Sequence, residues 1–135
     1  MRVVADTNVL VSALLTPSGG PGAILAAIDA GDLVLVASPA LIDELEDVLA
    51  RDRFRRWVSM GHVQAYLAAI RDRAELVPDP DDVTAVSSDP DDDFLVALAR
   101  AAGVDALVSG DEDLTSLELG DLDVLTPQQV LDRLR

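Results

Sequence analysis

The sequence contains no cysteine, no lysine and a single histidine, and its basic residues number only ten. Without cysteine there are no disulfides, no thiolate zinc site and no cysteine nucleophile. One histidine, His62, leaves a histidine-rich metal site or a Ser/His/Asp triad poorly supplied. Its neighbours Ser59-Met60-Gly61 mark a helix start, which makes His62 a surface residue. No apolar run approaches the ~18 to 20 residues of a membrane span, and the Met1-Arg2 start lacks the basic region and long apolar stretch of a signal peptide. The expectation is a soluble, cytoplasmic protein with no membrane partner.

Acids are abundant: 25 Asp and Glu stand against ten Arg, for a net charge of -15. Such a balance argues against non-specific nucleic-acid binding through a broadly basic surface, because phosphate contacts normally need basic residues in excess. The arginines are nonetheless uneven. Arg51, Arg53, Arg55, Arg56, Arg71 and Arg73 fall between positions 51 and 73. They form either a local basic patch or a solvated face whose charges complement helix C-termini.

At 135 residues, half of them apolar, the chain suits one compact domain spanning 1–135. Strand-like apolar runs at Arg2 to Ala5, Leu33 to Ala37, Leu76-Val77, Ala106 to Ser109 and Asp123 to Leu125 alternate with helical stretches. The helices are expected at Asn8 to Leu15, Ala23 to Ala30, Pro39 to Ala50, Arg53 to Val58, Gly61 to Glu75, Phe94 to Ala102 and from Pro127 to Leu134. Thr16 to Gly22 and Pro78 to Asp91 read as loops. The alternation predicts an α/β fold with a central, mainly parallel sheet of four to five strands and helices on both faces. In such sheets ligands bind outside the carboxyl ends of the strands.

That edge is where the acids collect. Val3-Val4-Ala5 runs into Asp6, and Ala106-Leu107-Val108 runs into Ser109-Gly110-Asp111. On the helix after the second strand, Leu41, Ile42, Leu45, Val48 and Leu49 make an apolar stripe and Glu44 borders it. Asp89 to Asp93 crowd the start of a later helix, where capping alone accounts for any single one of them. An EF-hand is a poor fit there, since Phe94 holds the glycine position and Arg100 the bidentate glutamate position. Carboxylates gathered at one edge raise one another's pKa unless a cation neutralises them. All-oxygen ligands select Mg²⁺ or Mn²⁺, which can activate water for attack on a phosphodiester.

The segments Val4-Ala-Asp-Thr-Asn-Val-Leu10, Ser38-Pro-Ala-Leu-Ile-Asp-Glu-Leu45, Asp89-Pro-Asp-Asp-Asp93 and Asp105-Ala-Leu-Val-Ser-Gly-Asp-Glu-Asp-Leu114 resemble, in order and spacing, the motifs of PIN-domain nucleases. They are most similar to the VapC-type toxins of bacterial toxin–antitoxin pairs, and the resemblance covers essentially the whole chain. It implies a three-layer α/β/α fold, a Mg²⁺- or Mn²⁺-dependent ribonuclease activity, homodimers and an inhibiting antitoxin. Carried over by position, it makes Asp6, Glu44, Asp92 and Asp111 the catalytic and metal-binding acids. Asp92 is the third acid because eleven residues separate it from the helix-ending Gly103, as in the relatives; Asp93 is the alternative. Asn8, Ser109, Asp93 and Asp113 fall in supporting positions, and Arg51, Arg53, Arg55 and Arg56 are the candidates for RNA contact.

Other classes fit less well. A receiver-type phosphoacceptor or a haloacid-dehalogenase-like phosphatase needs a lysine, and Gly19-Gly20-Pro21-Gly22 follows a helical segment where a dinucleotide-binding turn would follow a strand. The competing reading is a catalytically silent domain that acts as an interaction module.

Overall fold

In the computed structural model, which describes residues 1–135, the apolar runs are strands, the three central ones buried on both faces and the two edge strands partly exposed. Strand β1 (Arg2–Ala5) lies at the centre of a five-stranded sheet. It pairs in parallel with β2 (Val34–Ala37) on one side and β4 (Ala106–Val108) on the other. The edges are β3 (Glu75–Leu76), beside β2, and β5 (Asp123–Leu125), beside β4, both parallel. The order is therefore β3-β2-β1-β4-β5. Side chains alternate across a strand, so two cores form. Val3, Ala5, Leu35, Ala106 and Val108 face one, Val4, Val36 and Leu107 the other.

Helices cover both faces. The first core takes α1 (Thr7–Leu15), α2 (Gly20–Asp29), α4 (Met60–Arg73) and α7 (Pro127–Arg133). The second takes α5 (Pro90–Ala102) and the short α6 (Glu112–Thr115). Helix α3 (Pro39–Leu49) serves both, with Leu41 and Ile42 in the second core and Leu45 and Leu49 in the first. It crosses the rim of the sheet, and Glu44 falls between the two cores. The result is the three-layer α/β/α arrangement expected from the alternation. No single helix is long and apolar enough to cross a membrane.

Several boundaries differ from the sequence reading for local reasons. Helix α2 starts at Gly20 where a loop was expected through Gly22, because Pro21 occupies a first-turn position that lacks an N–H partner anyway. Gly22 lies against the Pro17 backbone so closely that a Cβ would sit 1.9 Å from its carbonyl oxygen. Helix α5 begins at Pro90, four residues before the expected Phe94, since Asp89 caps it by accepting from the Asp91 N–H at 2.9 Å. The stretch expected to be helical from Arg53 to Val58 is only a 3₁₀ turn at Asp52–Phe54. Glu75, expected to end the helix before it, instead begins β3.

Candidate active site

Asp6 leaves β1 with its backbone still in the sheet, its N–H donating to the Val108 carbonyl at 2.8 Å. Its side chain turns back to cap α1, where Oδ1 accepts from the Asn8 N–H at 3.2 Å. The other oxygen, Oδ2, accepts from the Ser109 hydroxyl at 3.0 Å. The carboxyl is 7% exposed. Burial pushes its pKa up, the bonds from Asn8 and Ser109 pull it back, and the charges of Asp111 and Asp89 push it up again.

Ser109 is fully buried and joins two strand ends. Its N–H donates to the Leu125 carbonyl at 2.9 Å, its hydroxyl donates to Asp6, and the same oxygen accepts from the Asp111 N–H at 3.0 Å. Asp111 in turn caps α6 by accepting from the Asp113 N–H at 2.9 Å. One hydroxyl thus sets the spacing of the first and fourth acids.

Glu44 reaches the same edge from α3. Its Oε2 accepts from the Thr7 hydroxyl at 3.2 Å. Burial raises its pKa, Thr7 lowers it, and Asp91, Asp6 and Asp89 raise it. Thr7 was missed in the sequence reading; a buried hydroxyl directly after the first acid was the available signal.

Asp92 and Asp93 are equally buried, at 7% exposed, yet they do different things. The Asp92 carboxyl is pushed up to about 6 by burial first, then by the charges of Asp89, Asp111, Asp6 and Asp113. Its neighbours are the other acids. Asp93 Oδ1 accepts from the N–H groups of Val86 and Ser87, both at 2.9 Å, and from the Ser87 hydroxyl at 3.1 Å. Those bonds, the Val86 N–H foremost, hold its carboxyl below the usual range. Asp93 fastens the loop before α5 and is turned to that loop. Asn8 and Asp113 are exposed and act on the edge through a backbone N–H and through charge, respectively.

No three acids close into a cage that would hold an ion unaided. The convergence is looser than the spacing suggested, an open edge with Asp6, Glu44, Asp92 and Asp111 around it. None of the four has a cation partner: the ion pairs join Arg2 to Glu75, Arg73 to Asp29, Arg100 to Asp121, Arg133 to Asp123 and Arg135 to Asp132. Buried Asp6 and Asp92 and half-buried Glu44, all three with raised pKa, stand beside exposed Asp111 with no in-chain cation, a set that suits a hard divalent ion keeping several waters.

Clefts flank the edge on both sides. One of about 290 Å³ is lined by Asn8, Ser12, Pro21, Gly110, Asp111 and Pro127, the other of about 320 Å³ by Ala40, Glu44, Asp91 and Phe94. A larger cleft of about 480 Å³ at Pro39, Ile42, Leu76 and Val77 contains none of the four acids.

The arginine cluster divides. Arg51, Arg53 and Arg56 are exposed and unpaired, whereas Arg55 turns inward and donates through Nη2 to the Leu49 carbonyl at the end of α3. His62 is exposed, and its backbone N–H is capped by Ser59 at 3.1 Å.

The sequence profile of the PIN domain matches residues 2–113. Uncharacterized protein MJ1680 of Methanocaldococcus jannaschii is 28% identical over 117 residues, which cover 87% of this chain and 75% of that protein. Among solved structures, PAE2754 from Pyrobaculum aerophilum superposes with a TM-score of 0.69 at 18% identity, over 99% of this chain and 89% of its own. A chain of VapBC2 from Rickettsia felis, solved bound to a DNA fragment from the promoter, superposes with a TM-score of 0.64 at 14% identity, over 93% and 98% respectively. At these identities the two structures speak to the fold.

Proposed function

The chain belongs to the PIN-domain family, and from that premise we propose that it is a Mg²⁺- or Mn²⁺-dependent ribonuclease, the toxin of a toxin–antitoxin pair. The observation that carries the reading is the set Asp6, Glu44, Asp92 and Asp111 at the carboxyl edge of a parallel sheet, with no arginine paired to any of them. When bound there, a divalent ion would orient and activate water for in-line attack on a phosphodiester and neutralise the charge that develops.

The chain's own residues prepare that site. Ser109 fixes Asp6 relative to Asp111, and Thr7 fixes Glu44. Asp92, its carboxyl pushed up to about 6, is one of the residues that would hold the ion, and a cation there would favour its ionised form, so ion uptake below that pH would release a proton. The flanking clefts give a strand access from either side.

The same charge balance supports the partners. A net charge of -15 and an acid edge without its own arginine favour a small antitoxin that inserts Arg or Lys at the edge and blocks it. The likeness in fold to a VapBC2 chain and the motif resemblance support that pairing; homodimers and a cytoplasmic location rest on the motif resemblance alone.

The test is cleavage of a mixed single-stranded RNA panel by purified protein with Mg²⁺ or Mn²⁺, with Asp6→Asn as the inactive control. Undiminished cleavage in excess chelator overturns the metal mechanism. The open spacing of the acids favours one alternative, a silent interaction module. Calorimetric titration with Mn²⁺ separates the two, because the silent module takes up no ion and cuts no RNA.

A further inference from the structure

Five of the ten arginines have a carboxylate partner, and four of the five without one are Arg51, Arg53, Arg55 and Arg56. Arg55 is occupied by the α3 carbonyl, which leaves three free guanidinium groups within six positions. The chain's only tryptophan follows directly. Trp57 is 65% exposed, the most exposed large apolar side chain in the protein. Packing does not account for it, since its neighbours Phe54 and Val58 supply the core contacts of this segment. The Arg56 guanidinium lies 5.3 Å from the Trp57 ring centroid, and that of Arg53 lies 4.7 Å from the Phe54 centroid. Each pairing holds a positive charge beside an aromatic ring while the rest of the indole stays open to water.

We propose that Trp57, flanked by Arg51, Arg53 and Arg56, is a stacking site for the bases of single-stranded RNA, separate from the acid edge. The inference rests on the ribonuclease reading for its ligand and names where the strand is gripped. An exposed indole beside unpaired arginines has the two features that single-strand binding uses: a π-face that accepts any base and cations that track the phosphates. Planar guanidinium groups also match phosphate oxygens two at a time. In a chain of net charge -15 this is the segment with a local positive excess, four Arg against Asp52. Glu44 lies five residues before Leu49, about 8 Å along α3. The 3₁₀ turn that leads to Trp57 follows that helix end, so one helix joins the patch to an acid of the edge. A protein partner would need acids matched to each guanidinium on burial, whereas a polynucleotide supplies its charges at regular intervals.

Trp57 is its own reporter, since no other indole contributes emission. In excess chelator, where no cleavage occurs, short oligoadenylate is titrated into the full chain. Saturable quenching of Trp57 emission is expected, with no comparable quenching by inorganic polyphosphate, which carries the charge and lacks bases. Trp57→Ala should weaken binding of a dye-labelled oligoadenylate roughly ten-fold, and Trp57→Phe should retain most of it. Replacing Arg51, Arg53 and Arg56 by Gln should reduce the slope of log K against log salt by about 2. These side chains are exposed, so the variants keep the fold.

Oligoadenylate binding that leaves Trp57 emission unchanged overturns the proposal, as does equal quenching by polyphosphate. So does emission that answers only to the co-expressed small protein, which makes the patch a protein-docking surface. A silent Trp57 beside intact Mn²⁺-dependent cleavage removes this site and leaves the ribonuclease reading standing. Quenching by oligoadenylate without cleavage under any metal does the reverse.

Discussion

Replacing Asp92 and Asp93 one at a time by Asn, in metal-free protein, is expected to move stability in opposite directions although the two residues are adjacent and equally buried. Asp92 has its pKa raised from 3.8 to about 6, by burial first and by neighbouring acids after it. A carboxyl whose folded-state pKa lies above its unfolded value stabilises fully when protonated, below pH about 4. That contribution disappears as pH rises through about 6. At about 1.4 kcal/mol per pKa unit the difference is about 3 kcal/mol. Water at the open edge screens part of this, so Asp92→Asn should stabilise the chelated protein at pH 8 by about 2 kcal/mol, or about 7 °C in the thermal midpoint. At pH 4 the gain should vanish. Asp93 has the opposite sign: its pKa is lowered by the N–H groups of Val86 and Ser87, so its contribution is present above pH about 4 and lost on acidification. Asp93→Asn weakens three charge-assisted bonds and should lower the midpoint at pH 8. Thermal unfolding of both variants in excess chelator at the two pH values checks this. An Asp92→Asn protein destabilised at pH 8 to the same degree as Asp93→Asn would refute the reasoning, because it would mean that Asp92 is held by bonds and not crowded by charge.

Ser109→Ala removes the hydroxyl between Asp6 and Asp111 and should weaken Mn²⁺ binding about ten-fold by calorimetry; an unchanged Kd removes Ser109 from the site. Thr7→Val, which keeps the shape and loses the bond to Glu44, should act in the same direction. Saturating Mn²⁺, at about 100 times its Kd, should stabilise the protein by about 2.7 kcal/mol at pH 8. At pH 5 the effect should shrink, since Asp92 is then protonated, and an equal shift at both pH values would exclude Asp92 as a ligand. Gly22→Ala places a methyl group against the Pro17 backbone and should cost about 3 kcal/mol or more, read as a lower melting midpoint by circular dichroism.

Apolar runs that stop on an acid were legible because burial on both faces leaves strands continuous and their ends abrupt. That signal located Asp6, Ser109 and Asp111, and helical periodicity located Glu44. Periodicity has no means of separating Asp92 from Asp93, since both lie in the first turn of α5 and both are buried. The loop at Val86 and Ser87 separates them, and its path depends on packing that no local pattern records. The hydroxyl of Thr7 directly after the first acid is visible in the sequence, but its tie to Glu44, 37 residues away, leaves no local pattern. Arg55 looks like its neighbours in sequence and differs only because the end of α3 presents a carbonyl to it. The four-residue α6 is too short to show a period, and only the Asp111 cap marks it.

The strand order also dictates when the acids can meet. The chain lays down β1, β2 and β3 outward in one direction, then returns to place β4 and β5 on the other side of β1. Asp6 and Glu44 belong to the first half and Asp92 and Asp111 to the second. The hydroxyl that joins the halves spans 103 residues. A ribosome that has made two thirds of this protein has made two acids and the floor of a sheet, and nothing able to cut the message it is reading. For a chain proposed to destroy RNA, harm is the last property acquired in synthesis, and the delay is written into the topology itself.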